Sequence, residues 1–256
     1  MKYIVSATTD VGNVKTTNQD SLCIKVAETK KYGQVMLAMV CDGMGGLSKG
    51  ELASSTVVKA FSDWFEQGLP VLIKNFSWEM VQKHWENLIR KVNRDLLDYG
   101  KRENISLGTT LTAMLFVGNE YLIVHVGDTR VYEIKEQIRQ ITEDQTFIQR
   151  EIKSGNMTVE EAKIDPRRNV LLQCVGATEN VKPTILKGTV HSDSEYMICS
   201  DGFRHMISEA EMYERLNPHA LMEKYQMDIN GKSLVELVKN RNERDNITVL
   251  LMKAND

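Results

Sequence analysis

Short apolar runs separated by polar turns cover most of the chain, and helical spacing of apolar positions appears in fewer stretches. Strands are predicted at residues 3–9, 21–26, 35–41, 109–117, 121–126, 130–135, 138–142, 170–174, 184–190, 195–199 and 247–252. Helices are predicted at residues 48–68, 81–100, 144–154, 158–162, 208–216 and 233–240. Because the strands come in meanders and the helices in consecutive pairs, without β-α-β alternation, the pattern predicts an α+β fold of antiparallel sheets covered by helices.

Local signals set the predicted ends of the first two helices. Ser48 and Glu51 have the spacing of a capping box, in which side chains satisfy free backbone amides of the first turn. Gly68 followed by Pro70 predicts the end of that helix, and Gly100 predicts the end of the next one.

Composition and charge indicate one globular domain. The chain has 256 residues, 42% of them hydrophobic, and only four prolines, with no linker, low-complexity segment or internal repeat. We therefore predict a single domain over residues 1–256, with an exposed polar excursion at residues 155–169. The net charge of −3, with both signs interspersed, disfavours a nucleic-acid partner or an anionic membrane surface.

The expected cellular location rests on the lack of a signal-peptide pattern and of a membrane-spanning run in the sequence. The first residues show no signal-peptide pattern, and the apolar runs are too short to span a bilayer, so we expect a cytoplasmic protein. The four cysteines lie inside apolar runs without C-x-x-C spacing; they are Cys23, Cys41, Cys174 and Cys199. This pattern predicts reduced thiols in the core rather than disulfides or a zinc site.

Candidate chemistry lies where apolar runs meet aspartate. Asp42 and Asp201 each end such a run and precede glycine, which permits a sharp exit from a buried strand. Asp245 opens the last apolar run, and Asp128 lies between two strand-like runs. Four carboxylates at strand ends, without a His or Cys cluster, indicate an all-oxygen site for a hard cation such as Mg²⁺ or Mn²⁺. An ordinary turn role stays open for Asp128.

Seven short motifs follow one another from residue 9 to residue 248. They are Thr9-Asp10-Val11-Gly12 with Asn18-Gln19-Asp20, Asp42-Gly43-Met44-Gly45-Gly46, Gly108-Thr109-Thr110, Val126-Gly127-Asp128-Thr129-Arg130, Asp165-Pro166-Arg167-Arg168-Asn169, Ser200-Asp201-Gly202 and Arg244-Asp245-Asn246-Ile247-Thr248. In this order they resemble the metal-dependent protein phosphatases of the PP2C (PPM) family in their compact bacterial form. The resemblance covers nearly the whole chain.

The resemblance implies a four-layer α-β-β-α sandwich, in which two stacked antiparallel sheets are flanked by helix pairs. It also implies a binuclear metal centre between the sheets. Asp42 would bridge both ions, and the carbonyl group of Gly43 would bind one of them. Asp201 and Asp245 would bind the other ion.

Two further carboxylates take roles from the same resemblance. Asp20 would hold metal-bound water, and Asp128 would join Asp201 in holding a third, weaker ion. Two Mn²⁺ or Mg²⁺ ions lower the pKa of a bridging water and neutralise charge on the phosphoryl oxygens. The implied activity is hydrolysis of phosphoserine and phosphothreonine by this bridging hydroxide, without a covalent phospho-enzyme, so neither Cys41 nor Cys199 is expected to be a nucleophile.

The implied partners are phosphoprotein substrates and an opposing bacterial Ser/Thr kinase. Since no heptad seam or large apolar stripe demands a dimer, we expect a monomer. The resemblance also implies a flap at about residues 144–170, whose Lys163, Arg167 and Arg168 would select phosphoproteins or simply form a solvated face. Within it, Asp144-Gln145-Thr146 replaces the common D-H-S, a change expected to affect helix capping.

Two departures concern phosphate binding and the leaving group. Lys15 stands where the family usually has Arg, and it offers a point charge instead of a bidentate fork, so we expect weaker or less oriented phosphate binding. A solvated surface role for Lys15 is the alternative. Met44 and Leu47 stand where members carry a His that serves as general acid, a contribution worth ~10²–10⁴-fold in rate. His205 is the nearest replacement in sequence.

These departures leave alternatives to an efficient enzyme. One is a pseudophosphatase that binds phosphoproteins as an adaptor. Retention of the acidic positions argues against it, because buried carboxylates are costly without cations. Another is a switch phosphatase that acts on a single regulator, although the chain has no room for a sensor segment.

Overall fold

Two antiparallel sheets form the centre of the structure, a computed structural model that describes residues 2–44, 49–191 and 194–255. The strands are β1 (Lys2–Asp10), β2 (Asp20–Thr29), β3 (Gly33–Asp42), β4 (Leu111–Val117), β5 (Glu120–Val126), β6 (Arg130–Ile134), β7 (Ile138–Gln140), β8 (Thr184–Thr189), β9 (Glu195–Cys199) and β10 (Ile247–Asn255). Sheet A has the order β1-β10-β9-β6-β7, and sheet B has the order β2-β3-β4-β5-β8. Strand β10 therefore lies between β1 and β9, although it follows both in sequence.

The chain also forms α-helices, several of which pack on the outer faces of the two sheets. They are α1 (Gly50–Asp63), α2 (Leu69–Leu72), α3 (Trp78–Glu103), α4 (Phe147–Lys153), α5 (Val159–Ile164), α6 (Asp201–Arg204), α7 (Glu209–Leu216) and α8 (Lys224–Asn240). A π-helical turn at Trp64–Gly68 joins α1 to α2, and a 3-10 turn at Ile73–Asn75 follows α2. In the described residues, no helix combines the length and the apolar character that crossing a bilayer requires.

Three apolar clusters hold the layers together and confirm the predicted α-β-β-α sandwich. Helices α1 and α3 pack on sheet B around Phe61 and Trp85, whose ring centroids lie 5.3 Å apart. A second cluster, which includes Phe116 and Leu250, fills the space between the sheets. A third joins α6, α7 and α8 to sheet A. Because both faces of each sheet are covered, the central strands read as continuous apolar runs.

Alternation along β3 determines where its last side chain lies. Leu37 and Met39 belong to the cluster under the helices, whereas Ala38 and Val40 belong to the cluster between the sheets. Because side chains alternate across a strand, Asp42 lies on the same face as Val40 and so borders the space between the sheets.

The first helical region continues further than the sequence predicts. Gly68 ends the π-helical turn, and the chain goes directly into α2 with Pro70 in its first turn. Proline is tolerated there because the first-turn amides have no intrahelical partner. Helix α1 begins at Gly50 after Lys49, and the predicted capping residue Ser48 lies outside the described residues.

Other predicted boundaries also change. Helix α3 continues past Gly100 to Glu103, and Asn104 closes it in a left-handed conformation. Thr146, not Asp144, caps α4, because the Asp144 carboxylate instead binds Arg130. Residues 170–174 form no strand and make a single bridge to the end of the Asp144 loop. Helix α8 starts nine residues before the predicted 233–240 segment, at Lys224.

Removal of the Trp85 side chain should destabilise the fold strongly. Trp85 has no exposed surface and contacts both Phe61 and Trp64. We expect Trp85→Ala to lower the free energy of unfolding by about 3–5 kcal/mol. Tyr225, which is 71% exposed, offers an aromatic control, and Tyr225→Ala should change stability by less than ~0.5 kcal/mol. Urea denaturation measures both, and equal losses would contradict the proposed packing.

His125 should make the fold sensitive to acid. Its Nε2 donates to the Glu143 carbonyl group and its Nδ1 accepts from the Thr112 hydroxyl, both in the interior. Burial lowers the pKa of His125 from 6.5 to about 4. The unfolded chain therefore takes up this proton first as the pH falls, and between those two values stability should drop by roughly 3 kcal/mol.

The variant His125→Gln keeps a donor and an acceptor at this position but does not titrate. We expect its unfolding free energy to decline less steeply than that of the unchanged chain between about pH 6.5 and pH 4. Parallel pH profiles for the two proteins would show that His125 does not cause the acid sensitivity.

Candidate functional site

The turn after β3 is held from both sides by backbone contacts. The Asp42 amide donates to the Thr110 hydroxyl at 2.8 Å, and the Thr110 amide donates to the Asp42 carbonyl at 2.9 Å. On the other side, the Gly43 amide donates to the Gln19 carbonyl at 3.1 Å. A Cβ atom on Gly43 would lie 2.5 Å from that same carbonyl oxygen, so only glycine fits. The Asp42 carboxylate and the Gly43 carbonyl are thus set at one defined end of the sheet sandwich.

Asp20 faces Asp42 across the β2–β3 pair. The two residues are partners in strand register, and Asp20 is 8% exposed. Among the described residues, neither Asp20 carboxylate oxygen has a donor in hydrogen-bonding geometry. The pKa of Asp20 is raised to about 7, chiefly by burial and also by the Asp201 and Asp245 carboxylates, against the lowering effect of nearby hydroxyl groups. A buried carboxylate without a donor is rare in proteins and is a fit for cations or their bound water.

The turn after β9 approaches the last strand closely. Asp201 is the first residue of α6, and only Ser200 separates it from β9. A Cβ atom on Gly202 would lie 2.1 Å from the Asn246 carbonyl oxygen, so this approach also requires glycine. The Ser200 hydroxyl accepts from the Thr248 amide at 3.0 Å, which joins the turn to β10.

Asp245 lies at the entrance of β10, beside Asn246, whose side chain binds the loop between β1 and β2 at three points. The Asn246 side chain donates to the carbonyl groups of Val11 and Thr17 and accepts from the Gln19 amide. These contacts place Asp245 next to the loop between β1 and β2. The sequence motif alone gave Asn246 no role, and only its long-range partners identify it as the link.

Lys15 comes from that same loop and reaches the site. Its ammonium group lies 2.9 Å from the Asp245 carboxylate, and its side chain is 30% exposed. The structure therefore brings together Lys15 and a predicted metal ligand, at the rim and not in the interior. This position differs from that of a freely solvated surface lysine.

Asp128 and its neighbours form a charged network beside α6. Asp128 is 7% exposed, and its pKa is raised to about 7, chiefly by burial and also by Asp201, while Arg204 lowers it. Arg130 binds Asp144 through two hydrogen bonds of 2.8 and 2.7 Å. The sequence analysis did not identify Arg204, because its contacts with Asp128 and Asp144 join residues 76 and 60 positions apart.

The predicted substitutes for a general acid are near the site but loosely placed. His205 Nε2 lies 3.6 Å from Asp201, and its Nδ1 lies 3.7 Å from Glu243, both beyond hydrogen-bonding distance. Met44 is described and its amide donates to the Gly108 carbonyl, whereas Gly45, Gly46 and Leu47 lie outside the described residues.

The cysteines near the site are poor nucleophiles. Cys41 and Cys199 are fully buried. Burial raises the pKa of Cys41 well above its ordinary value and raises that of Cys199 to about 12. Both thiols are therefore neutral at physiological pH, in agreement with their predicted packing role.

Mutual repulsion is the main electrostatic feature of the site. Burial raises the pKa of Asp42 strongly, and Asp20, Asp201, Asp128 and Asp245 add to the increase, in that order. Over residues 2–44, 49–191 and 194–255, no three acidic, His or Cys side chains stand close enough to form a ready-made metal cluster. The arrangement suits hard cations that keep several water ligands and take few carboxylates.

Comparisons with known proteins give the site a context. A family model described as Protein phosphatase 2C matches residues 13–237. The serine/threonine phosphatase stp of Listeria innocua is 30% identical over 252 residues, which cover 96% of this chain and 94% of that protein. The serine/threonine protein phosphatase PstP of Mycobacterium tuberculosis is 31% identical over 256 residues, covering 98% of this chain and 45% of that protein. A crystal structure of the PstP catalytic domain with two manganese ions is 28% identical, with a TM-score of 0.80 and 99% coverage of both chains.

Divalent cations should stabilise this fold in a pH-dependent way. The pKa of Asp20 is raised from 3.8 to about 7 in the folded chain. Without metal, the stability contributed by the protonated carboxyl group is therefore fully present below about pH 3.8, and it is lost as the pH rises through about 7. Cations that bind the ionised site should restore stability above about pH 7. We expect Mn²⁺, compared with a chelator, to raise the melting temperature more at pH 8 than at pH 5.

The variant Asp20→Asn removes the titrating group and serves as the control. Its melting temperature without metal should depend less on pH over the same range. A Mn²⁺-induced shift of the same size at both pH values, with or without Asp20, would contradict this account.

Proposed function

We propose, from the premise that the chain belongs to the protein phosphatase 2C family, that it is a metal-dependent enzyme that hydrolyses phosphoserine and phosphothreonine in proteins. The names of its relatives support this substrate class, and the two manganese ions of the PstP domain support a binuclear centre. The observation that carries the proposal is the pairing of Asp20 with Asp42: the two face each other in register, and within the described residues the buried Asp20 carboxylate has no hydrogen-bond donor.

The proposed ligand set comes from the turns that border the space between the sheets. Asp42 would bridge two ions, with the Gly43 carbonyl on one of them, and Asp201 and Asp245 would hold the other. The raised pKa of Asp42 and the hydrogen bond from its amide to the Thr110 hydroxyl support this assignment. Bound Mn²⁺ or Mg²⁺ would make water acidic enough to supply hydroxide near neutral pH and would offset charge on the phosphoryl group.

Asp20 would orient the attacking water. Its carboxylate has no donor of its own among the described residues, so it is free to accept a hydrogen bond from water at the site. The Asp20 side chain would also keep that water between the sheets, where Asp42 ends its strand. Nearby cations would favour the ionised form of the Asp20 carboxylate, although the side chain is buried.

Lys15 would attract the phosphate group of the substrate. Its contact with Asp245 supports a location at the rim, within reach of a bound phosphoryl group. Because an ammonium group is a single flexible charge, Lys15 would contribute attraction more than orientation. With Asp245 engaged as a metal ligand, Lys15 would leave this ion pair and would be available to the substrate.

Protonation of the leaving alkoxide has two candidate routes. His205 lies beside Asp201 with 31% of its side chain exposed, so it could exchange protons with solvent. Water at the open rim is the second route. In either case the described residues would hold no acid in hydrogen-bonding geometry for the leaving group, which supports a modest turnover rate.

The biological setting follows from the family and from the chemistry of the product. We infer that phosphoproteins made by a Ser/Thr kinase are the substrates, that the protein works in the cytoplasm as a monomer, and that residues 1–256 form one domain. The flap at about residues 144–170 contains α4 and α5, with Arg167 exposed on it. The adaptor alternative is less favoured, because a binding module gains nothing from several buried, mutually repelling carboxylates.

Neutralising one carboxylate of the ligand set should abolish turnover. We expect Asp42→Asn and Asp201→Asn each to lower phosphate release from a phosphothreonine peptide by at least ~100-fold, since the loss of several kcal/mol of charge stabilisation corresponds to such a factor. A chelator should abolish the activity of the unchanged chain, and added Mn²⁺ should restore it.

Asp63→Asn is the matched control, because Asp63 lies on the surface of α1 in an ion pair with Lys59. Its phosphate release should equal that of the unchanged chain. Tight Mn²⁺ binding without any turnover would defeat the enzyme hypothesis and favour the adaptor.

A further inference from the structure

Arg204 lies against the carboxylate that the sequence assigns to a third metal ion. Its Nη2 atom is 3.3 Å from the Asp128 carboxylate and 3.3 Å from the Asp128 carbonyl oxygen. The same nitrogen is 3.5 Å from Asp144. The Arg204 side chain is 12% exposed, so the guanidinium is held inside the network and not at the surface.

The position of Arg204 on α6 explains why it reaches this place. It follows Asp201 by three residues, and residues three apart lie on neighbouring positions of a helix surface. Asp128 approaches from the turn before β6, and its ionisation is opposed by Asp201. The guanidinium therefore stands at Asp128, one of the two carboxylates between which a third ion would have to bind.

Asp144 does not need Arg204 as its counter-charge. Arg130 already binds both Asp144 oxygens with a two-pronged contact, at 2.8 and 2.7 Å. For Asp128 the situation is different: in the described part of the chain, Arg204 is the one cationic side chain within ion-pair distance. The positive charge of Arg204 is therefore directed at Asp128.

We propose that the guanidinium of Arg204 takes the place of a third divalent cation at Asp128, so that this chain works with two ions. The inference rests on the proposed function, because it assumes the binuclear centre at Asp42. Arginine keeps its charge at all physiological pH values, so the substitute cation is permanent. A divalent ion at Asp128 would have to approach this charge or displace a buried side chain, and both are unfavourable.

The first test counts Mn²⁺ ions on the unchanged chain and on Asp128→Asn, by titration calorimetry and by electron paramagnetic resonance of free Mn²⁺. We expect two ions on both proteins, since Asp128 is already neutralised by Arg204. A count of three that falls to two in Asp128→Asn would overturn the inference and leave the proposed function intact. A count of zero on the unchanged chain would overturn both.

The second test removes the substitute cation. Arg204→Met keeps the length of the apolar stem, and we expect it to tighten the weakest Mn²⁺ site by about tenfold or more, which gives a count of three. The double variant with Asp128→Asn should return to two, as should Arg204→Lys, which retains the positive charge. An unchanged count in a folded Arg204→Met would count against the inference.

Arg150→Met is the control for loss of an arginine, because Arg150 lies on α4 with 53% of its side chain exposed. Its Mn²⁺ count should equal that of the unchanged chain. If Arg204→Met does not fold, the comparison with Asp128→Asn still decides, because it leaves Arg204 in place.

Discussion

Repulsion between buried carboxylates at one end of the sheet sandwich is the constraint on which the other features of this molecule depend. Asp20 and Asp42 are register partners, and Asp128, Asp201 and Asp245 act on them electrostatically from neighbouring turns. Such an arrangement opposes folding unless positive charge is supplied. Positive charge near these carboxylates comes from Lys15 at the rim and from Arg204 in the adjacent network, and divalent cations in the proposed centre would add to it. The free-energy cost of this repulsion is small compared with the stabilisation from burying the three apolar clusters.

The backbone around the carboxylates is rigid because each acidic turn is tied to a different strand. Thr110 of the β4 entrance holds Asp42, and Asn246 connects the β1–β2 loop with the entrance of β10. Glycine at positions 43 and 202 allows backbones to approach so closely that a methyl group would not fit. Preorganisation of this kind holds the carboxylate and carbonyl groups of these turns in fixed positions.

The sequence was most informative where a single physical rule decides the outcome. Apolar runs gave most of the strands, and the motif resemblance gave the layers, because continuous burial and motif order are both visible in one dimension. Gly68 and Pro70 wrongly predicted the end of the first helical region, because Gly68 lies in a π-helical turn and Pro70 lies in the first turn of α2. The apolar run at residues 170–174 was predicted as a strand, but it makes only a single β-bridge, and the sequence pattern does not show which runs find a neighbouring strand. Of the candidate site, Asp42 and Asp201 were suggested by their Asp-Gly turns and the other aspartates by their places in apolar runs and motifs, whereas Arg204 and Asn246 were not predictable, because their roles depend on contacts across 76 and more than 200 residues.

Strand β10 has a kinetic consequence through its place in sheet A. It lies between β1 and β9, so a central strand of the sheet is the last one to leave the ribosome. Until it arrives, β1 has no hydrogen-bonded neighbour in its sheet, and Asp20 and Asp245, which are 225 positions apart, cannot share a site. Contacts of such long sequence separation form slowly, because loop closure precedes any gain from pairing. During synthesis the chain therefore presents an unfilled sheet edge, the kind of surface that chaperones bind and that aggregation exploits.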